Sequence, residues 1–193
     1  LDLEMSFVEQ EDVFNVVEKL FINTFKKFSN KKLLYNQFPR ISFKESMIKY
    51  GTDKPDLRNP IEIVDVTEIF KSNDVKLKIF KDLISKGGVV KAIPVPGTSS
   101  KPRSFFDNLN NWAISEGASG LAYITFEKGS KKISAKGPIA KFFSESAVIK
   151  LIETCKINEQ DSVFFVCNLE KEAIRFSGIA RQKIANEHNL IDK

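Results

Sequence analysis

The 193-residue chain is 42% hydrophobic and carries seventeen Phe, enough apolar material for a packed core and too much for a disordered chain. Its 30 Lys and Arg against 25 Asp and Glu give a net charge of +5 and a pI near 9.1, which admits an anionic partner such as RNA without requiring one. Only two cysteines, Cys155 and Cys167, and one histidine, His188, are present, which excludes a disulfide scaffold and any zinc site of conventional spacing.

Both thiols stand in apolar contexts and are expected to be reduced and structural. The length allows one large or two small domains. No apolar run is long enough to span a bilayer and the first residues lack a secretory pattern, so a cytoplasmic protein without membrane contact is expected. The chain opens on Leu1 within a strand-like pattern and without an initiator Met, as expected of an excised fragment.

Residues 1–8, LDLEMSFV, alternate apolar Leu1, Leu3, Met5 and Phe7 with polar Asp2, Glu4 and Ser6. Period two predicts a strand with both carboxylates on one face, read from the pattern alone as a solvated acidic edge. Residues 9–28 form the clearest helix. Val13, Val17, Leu20, Thr24 and Phe28 make a stripe that Phe14, Phe21 and Phe25 widen, as in a helix packed on a sheet. Glu9, Glu11 and Asp12 crowd the first turn and Lys26 and Lys27 the last, which suits the helix dipole.

Residues 38–58 read FPRISFKESMIKYGTDKPDLR. The residue before Pro39 is held extended. Ser42 then caps a helix over 43–50, with Glu45 completing a capping box. Gly51 ends the helix, and Pro55 prevents TDKPDLR from continuing it. Asn59-Pro60 reads as a domain boundary.

Beyond it, residues 61–66 form a strand, 67–70 a turn of helix, and 75–85 an apolar-rich segment of open type. Gly87-Gly88 precede a strand over 89–95, where Pro94 and Pro96 suit an edge or a strand exit. Ser99 or Ser100 caps a helix with Pro102 in its first turn, an apolar stripe of Phe105, Leu109, Trp112 and Ala113, and a stop at Gly117. Residues 121–126 and 133–136 pair as a hairpin. Ser144 caps a helix over 145–155, SVFFVCN at 162–168 is a buried strand, and 170–189 a last helix. The pattern gives an α+β fold of two layers, a mainly antiparallel sheet with helices on one face.

Chemistry-bearing signals are few. Gly87-Gly88 and 117–120 lack the spacing of a phosphate loop. Lys128, Lys131, Lys132, Lys136 and Lys141 gather around the hairpin, either to neutralise RNA phosphates or to keep a sheet edge solvated. Tyr123 and Phe126 lie on opposite faces of their strand, so one can stack on a base while the other packs. No nucleophile and base form a pair, so no catalytic residue and no metal ligand set is assigned.

The stretch 38–58 resembles, without a gap, a segment of bacterial-type aspartyl-tRNA synthetases. QLDLEMSF, here from Leu1, is similar to the second strand of their class II motif 2. VKAIPVPG at 90–97, GASGLAYITF at 117–126, GPIAKFFS at 137–144 and ARQKIANEHNLID at 180–192 resemble the GAD domain, an insertion in these enzymes that is related to a domain of tRNA-dependent amidotransferases.

The resemblance covers essentially the whole chain. It implies a partial class II catalytic segment over 1–59, the GAD insertion over 60–189 and a return to the catalytic domain at 190–193. It also implies that the parent activates L-aspartate with ATP and magnesium, transfers it to tRNA and works as a homodimer. Asp2 and Glu4 would face the substrate, and Lys128, Lys131 and Lys132 the RNA. The fragment itself is expected to be catalytically incomplete and to need no cofactor of its own. The alternative is a non-enzymatic module that contacts tRNA or an amidotransferase. A third reading makes the insertion a rigid appendage.

Overall fold

A computed structural model describes residues 2–129 and 133–191, and the chain divides into two compact units, Leu1–Ile41 and Ser42–Lys193. In the first unit, helix α1 (Gln10–Phe28) starts where the Asp12 carboxylate accepts from the Glu9 amide at 3.0 Å. Lys26 and Lys27 end it, as the dipole favours. The segment after α1 folds back on it. The Arg40 guanidinium lies 4.8 Å from the Phe14 ring centre and pairs with Glu18 at 3.1 Å, while the Phe38 amide donates to Glu18 at 3.2 Å.

Two expectations fail in this unit. Residues 2–8 form no strand, because a strand is held by a neighbour's ladder and no described residue pairs with them. The broad apolar face of α1, expected to be core, buries no residue; Phe21 is 47% and Phe28 77% exposed.

The second unit is built on one five-stranded sheet. Its strands are β1 (Val64–Asp65), β2 (Gly88–Val95), β3 (Ala122–Lys128), β4 (Ile133–Lys136) and β5 (Ser162–Leu169). They lie in the order β1-β2-β5-β3-β4, each antiparallel to its neighbours. The long register of β2 on β5, from Gly88 opposite Leu169 to Val95 opposite Ser162, forms the centre. Pro94 faces Val163 there, and the pairing of β1 along β2 stops at Val64 opposite Ala92 before reaching it, so the missing amide falls at a strand exit, as expected.

The fold class holds as α+β with an antiparallel sheet, but helices cover both of its faces. Helices α3 (Thr67–Lys71), α4 (Lys78–Ile84) and α6 (Glu145–Cys155) pack Phe70, Ile84 and Leu151 with Val90, Ile124, Phe126, Val163 and Phe165. Helices α5 (Arg103–Ser115) and α7 (Glu170–Glu187) pack Leu109, Ala113, Phe176, Ala180 and Ile184 with Ile93, Val95, Phe164 and Val166 on the other face. The physical reason lies in SVFFVCN, whose apolar residues do not alternate with polar ones. Leaving one face bare would cost about 1.5–3 kcal/mol for each such side chain.

Local signals set several boundaries. The Ser144 hydroxyl accepts from the Ala147 amide at 3.2 Å and opens α6 as expected. Helix α5 begins later than its serines, at Arg103 with Pro102 as boundary, because Thr98 turns its hydroxyl onto the Val95 carbonyl and the intervening residues form a turn. The open segment 75–85 contains α4. Of the strand expected over 61–66, only Val64–Asp65 joins the sheet, although Ile61 and Ile63 are buried.

Candidate functional site

Helix α2 (Phe43–Tyr50) and the TDKPDLR loop lie in the second compact unit, on α7. The Ser42 hydroxyl accepts from the Glu45 amide at 3.2 Å. The reciprocal half of the expected capping box is not made, since the Glu45 carboxylate pairs with Lys49 at 3.0 Å, one turn on. Gly51 closes α2 in the left-handed region at φ 69°. There the chain meets α7 backbone to backbone: a Cβ on Gly51 would sit 2.6 Å from the Gly178 Cα.

Arg181, one turn below Gly178, is 1% exposed. Its Nε donates to the Ile61 carbonyl at 2.6 Å, and its Nη2 donates to the carbonyls of Asp56 at 3.1 Å and Asn59 at 2.9 Å. Its guanidinium carbon lies 5.0 Å from the Tyr50 ring centre. Asn59 donates back to the Arg181 carbonyl at 3.3 Å and accepts the Ile61 amide at 3.0 Å. The compact units divide at Ile41/Ser42, so the stretch between that break and the boundary expected at Asn59-Pro60 is stapled to α7.

The loop is charged and internally ordered. Arg58 donates from Nε at 3.0 Å and Nη2 at 2.8 Å to the Asp56 carboxylate. These hydrogen bonds hold the Asp56 carboxyl below the usual aspartate value. Burial pulls the Arg181 pKa down from its ordinary value, yet a guanidinium keeps its proton. The loop and α7 enclose an open cavity of about 500 Å³ with Thr52, Lys54, Arg175, Arg181 and Gln182 in its wall.

The remaining candidates are scattered. Asp2 and Glu4 are exposed. Lys128 is exposed at the end of β3, whereas Lys131 and Lys132 lie outside the described residues. Lys136 is neutralised by Glu127 at 2.6 Å, and Lys141 rests over the Phe142 ring at 5.2 Å. Phe126 is fully buried, as one of the strand aromatics must be. Tyr123 stacks on Phe106 with ring centres 4.2 Å apart, so one of its faces is already occupied.

Arg103 pairs with Asp107 at 3.4 Å and Arg175 with Glu172 at 2.9 Å. His188 places Nε2 3.0 Å from the Pro96 carbonyl, and burial lowers its pKa below the ordinary value. Both cysteines are free thiols, and among the described residues no three His, Cys, Asp or Glu gather to hold a metal ion. No helix among them is long and apolar enough to cross a membrane.

Sequence reasoning left Arg181 unplaced and gave Gly178 no role. The signal was present: a glycine inside a helical pattern marks close approach of another backbone. Arg181 also follows Ala173 and Ser177 at four-residue steps on the inward face of α7, where a charged residue must have dedicated partners.

Residues 80–176 match the GAD domain family. The whole chain is 54% identical over 193 residues to an aspartate–tRNA(Asp/Asn) ligase of Pelagibacter ubique (strain HTCC1062), covering 32% of that protein. It is 53% identical over 192 residues to the ligase of the same name from Ehrlichia canis (strain Jake), again 32% of its length. Over 190 residues, 98% of this chain, it is 48% identical to that of Beijerinckia indica subsp. indica, also 32% of its length. The chain spans about a third of the length of the curated relatives it matches.

Proposed function

The chain belongs to the GAD domain family, and from that footing we propose that it is part of an aspartate–tRNA ligase. The observation that carries this reading is 54% identity running through all 193 residues, so that the similarity to the ligases extends well beyond the GAD match on both sides. The whole protein would activate L-aspartate with ATP and magnesium and pass it to tRNA. Its relatives' name supports charging of both aspartate and asparagine tRNA.

In this reading residues 1–59 belong to the class II catalytic domain, 60–189 to the GAD insertion and 190–193 to the return into the catalytic domain. Asp2 and Glu4 face the substrate. Their exposure leaves both carboxylates open to a ligand, and oxygen donors from one or two carboxylates beside substrate phosphates suit magnesium. Aspartate activation needs orientation and charge stabilisation on phosphate rather than a protein nucleophile. Lys128, Lys131 and Lys132 contact tRNA phosphates. The parent is a cytoplasmic homodimer with ATP and magnesium in its catalytic domain, and the related amidotransferase domain makes contact with such an enzyme a further part of the proposal.

The test is aspartate-dependent ATP–pyrophosphate exchange and aminoacylation of both tRNAs by the whole encoded protein, with Asp2→Asn lowering exchange. The 193-residue chain alone is expected to show no exchange, and activity there would overturn the division of labour proposed here. The alternative, a binding module without catalysis, is favoured by a GAD part with both sheet faces covered by its own helices. A tRNA gel shift that weakens with salt and is lost on neutralising the three lysines, with no aspartylation by the whole protein, selects it.

A further inference from the structure

The cavity between the 51–56 loop and α7 combines a buried cation with two exposed ones. Arg181, 1% exposed, forms no ion pair among the described residues. Its nearest carboxylate in the loop, Asp56, is engaged by Arg58 in two hydrogen bonds. Three carbonyls take Nε and Nη2, while Nη1 has no partner among the described residues and Arg181 forms part of the cavity wall.

The Asp56 and Glu62 carboxylates act on Arg181 only through space, and an anion beside Nη1 gives this buried charge a direct partner. Lys54, which pairs with no described carboxylate, and Arg175, whose Nε alone is taken by Glu172, stand on the same wall. The Thr52 hydroxyl and the Gln182 side chain add neutral donors. We propose that this cavity binds a phosphate group, held by Arg181 Nη1 together with Lys54 and Arg175. The other wall residues are Gly51, Gly178, Ile179 and Asp56, whose carboxylate Arg58 engages, with no aromatic ring, so nothing there stacks on a base. Three cationic side chains lining one cavity suit a tetrahedral, multiply charged oxyanion better than a planar carboxylate.

The site goes beyond the ligase reading, which places RNA contacts on the β3–β4 hairpin, and its test needs no catalysis. The 193-residue chain, labelled with ¹⁵N, is titrated with inorganic phosphate, ATP and unfractionated tRNA, against chloride at equal ionic strength. The expected result is saturable movement of the Gly51, Thr52, Gly178 and Gln182 amide signals with phosphate and not with chloride. The double variant Lys54→Gln/Arg175→Gln alters only exposed side chains and should weaken binding about tenfold or more. Lys86→Gln, at an exposed lysine in the turn after α4 and outside the cavity wall, should leave it unchanged. The same amides moving with tRNA identify a nucleic-acid phosphodiester as the ligand, and movement with phosphate and ATP but not tRNA a free phosphate or nucleotide. Shifts that never saturate, or that persist unchanged in the double variant, overturn the proposal.

Discussion

Gly51 and Gly178 touch through their backbones: a Cβ on Gly178 would lie 2.6 Å from the Gly51 carbonyl oxygen. The contact fixes how closely the end of α2 lies on α7, and Arg181 reads the loop beyond it from the same helix. Position and hydrogen bonding of TDKPDLR are therefore set by a helix more than a hundred residues away in sequence.

Gly178→Ala tests this directly, because two effects of opposite sign compete. An alanine inside a helix gains about 1 kcal/mol over glycine, while forcing a methyl into a packed contact costs about 1–3 kcal/mol. The 2.6 Å approach to backbone leaves no flexible side chain to yield, so net destabilisation of about 1–2 kcal/mol is expected. Trp112, stacked on Phe176 of α7 at 5.8 Å, reports urea unfolding by fluorescence. An unchanged or raised midpoint would show that the two backbones can separate freely.

Arg181→Met removes the guanidinium donors to three carbonyls, those of Asp56, Asn59 and Ile61, of which that of Asp56 keeps the Asn59 amide at 3.3 Å. A buried carbonyl left unsatisfied costs about 1–3 kcal/mol, and the relief from no longer burying a charge offsets only part of the total. We expect a loss of roughly 3 kcal/mol, with faster hydrogen exchange at the Ile61 amide as the Asn59 turn loosens. Arg181→Lys keeps a cation but has no planar fork to reach three acceptors, so it should fall between wild type and Arg181→Met. Equal stability of the Arg181→Met variant and the wild-type chain in denaturant would remove the clamp.

These two residues also show where the sequence was readable and where it was not. Helix α6 was legible because the Ser144 cap and the apolar Val148, Ile149, Leu151 and Ile152 that follow it agree locally. The strand pattern of 2–8 was equally clear, yet a strand needs a partner and alternation does not provide one. The both-sided cover of β5 was latent in SVFFVCN, where a run without alternation cannot leave a polar face to water. The inward place of Arg181 could be read from its spacing on α7, but its partners could not, because they are backbone carbonyls of distant residues and carbonyls carry no sequence signature.

Burial raises the Cys155 thiol pKa to about 12 and that of Cys167 to about 11. At pH 8 the reactive thiolate is then a fraction on the order of 10⁻⁴ for Cys155 and 10⁻³ for Cys167, against roughly one quarter for a free cysteine. Alkylation by iodoacetamide in native buffer should run at least about 100-fold slower than in denaturant for both, with Cys167, the less buried, faster than Cys155. Rapid native labelling of Cys155 would contradict its place in the core at the end of α6.

The pair Lys91 and Asp65 gives the acid dependence of the sheet. They face each other across β2 and β1, with Lys91 Nζ 2.7 Å from Asp65 Oδ2 and the lysine side chain only 5% exposed. Burial pushes the Asp65 pKa up, but hydrogen bonds from Lys91 and Thr67 outweigh it, so the folded value lies below the ordinary aspartate value. A carboxyl depressed on folding contributes stability that is complete above its unfolded value, near 4, and is lost as pH falls through the folded value. Asp65→Asn keeps an oxygen to accept the Thr67 amide, now made at 2.9 Å, and removes only the charge. With Lys91 buried and Asp65 half-exposed, the expected loss at pH 7 is about 2 kcal/mol. The variant should also lose less stability than wild type between about pH 5 and pH 2, a window set by the general aspartate range. Lys91→Met in the same background should recover most of the loss, since an apolar pair leaves no buried charge unbalanced. Denaturation curves for the three chains at about pH 7 and pH 3 decide it, and a double variant no more stable than Asp65→Asn alone would show that the lysine stem, and not its charge, is what the strand pair needs.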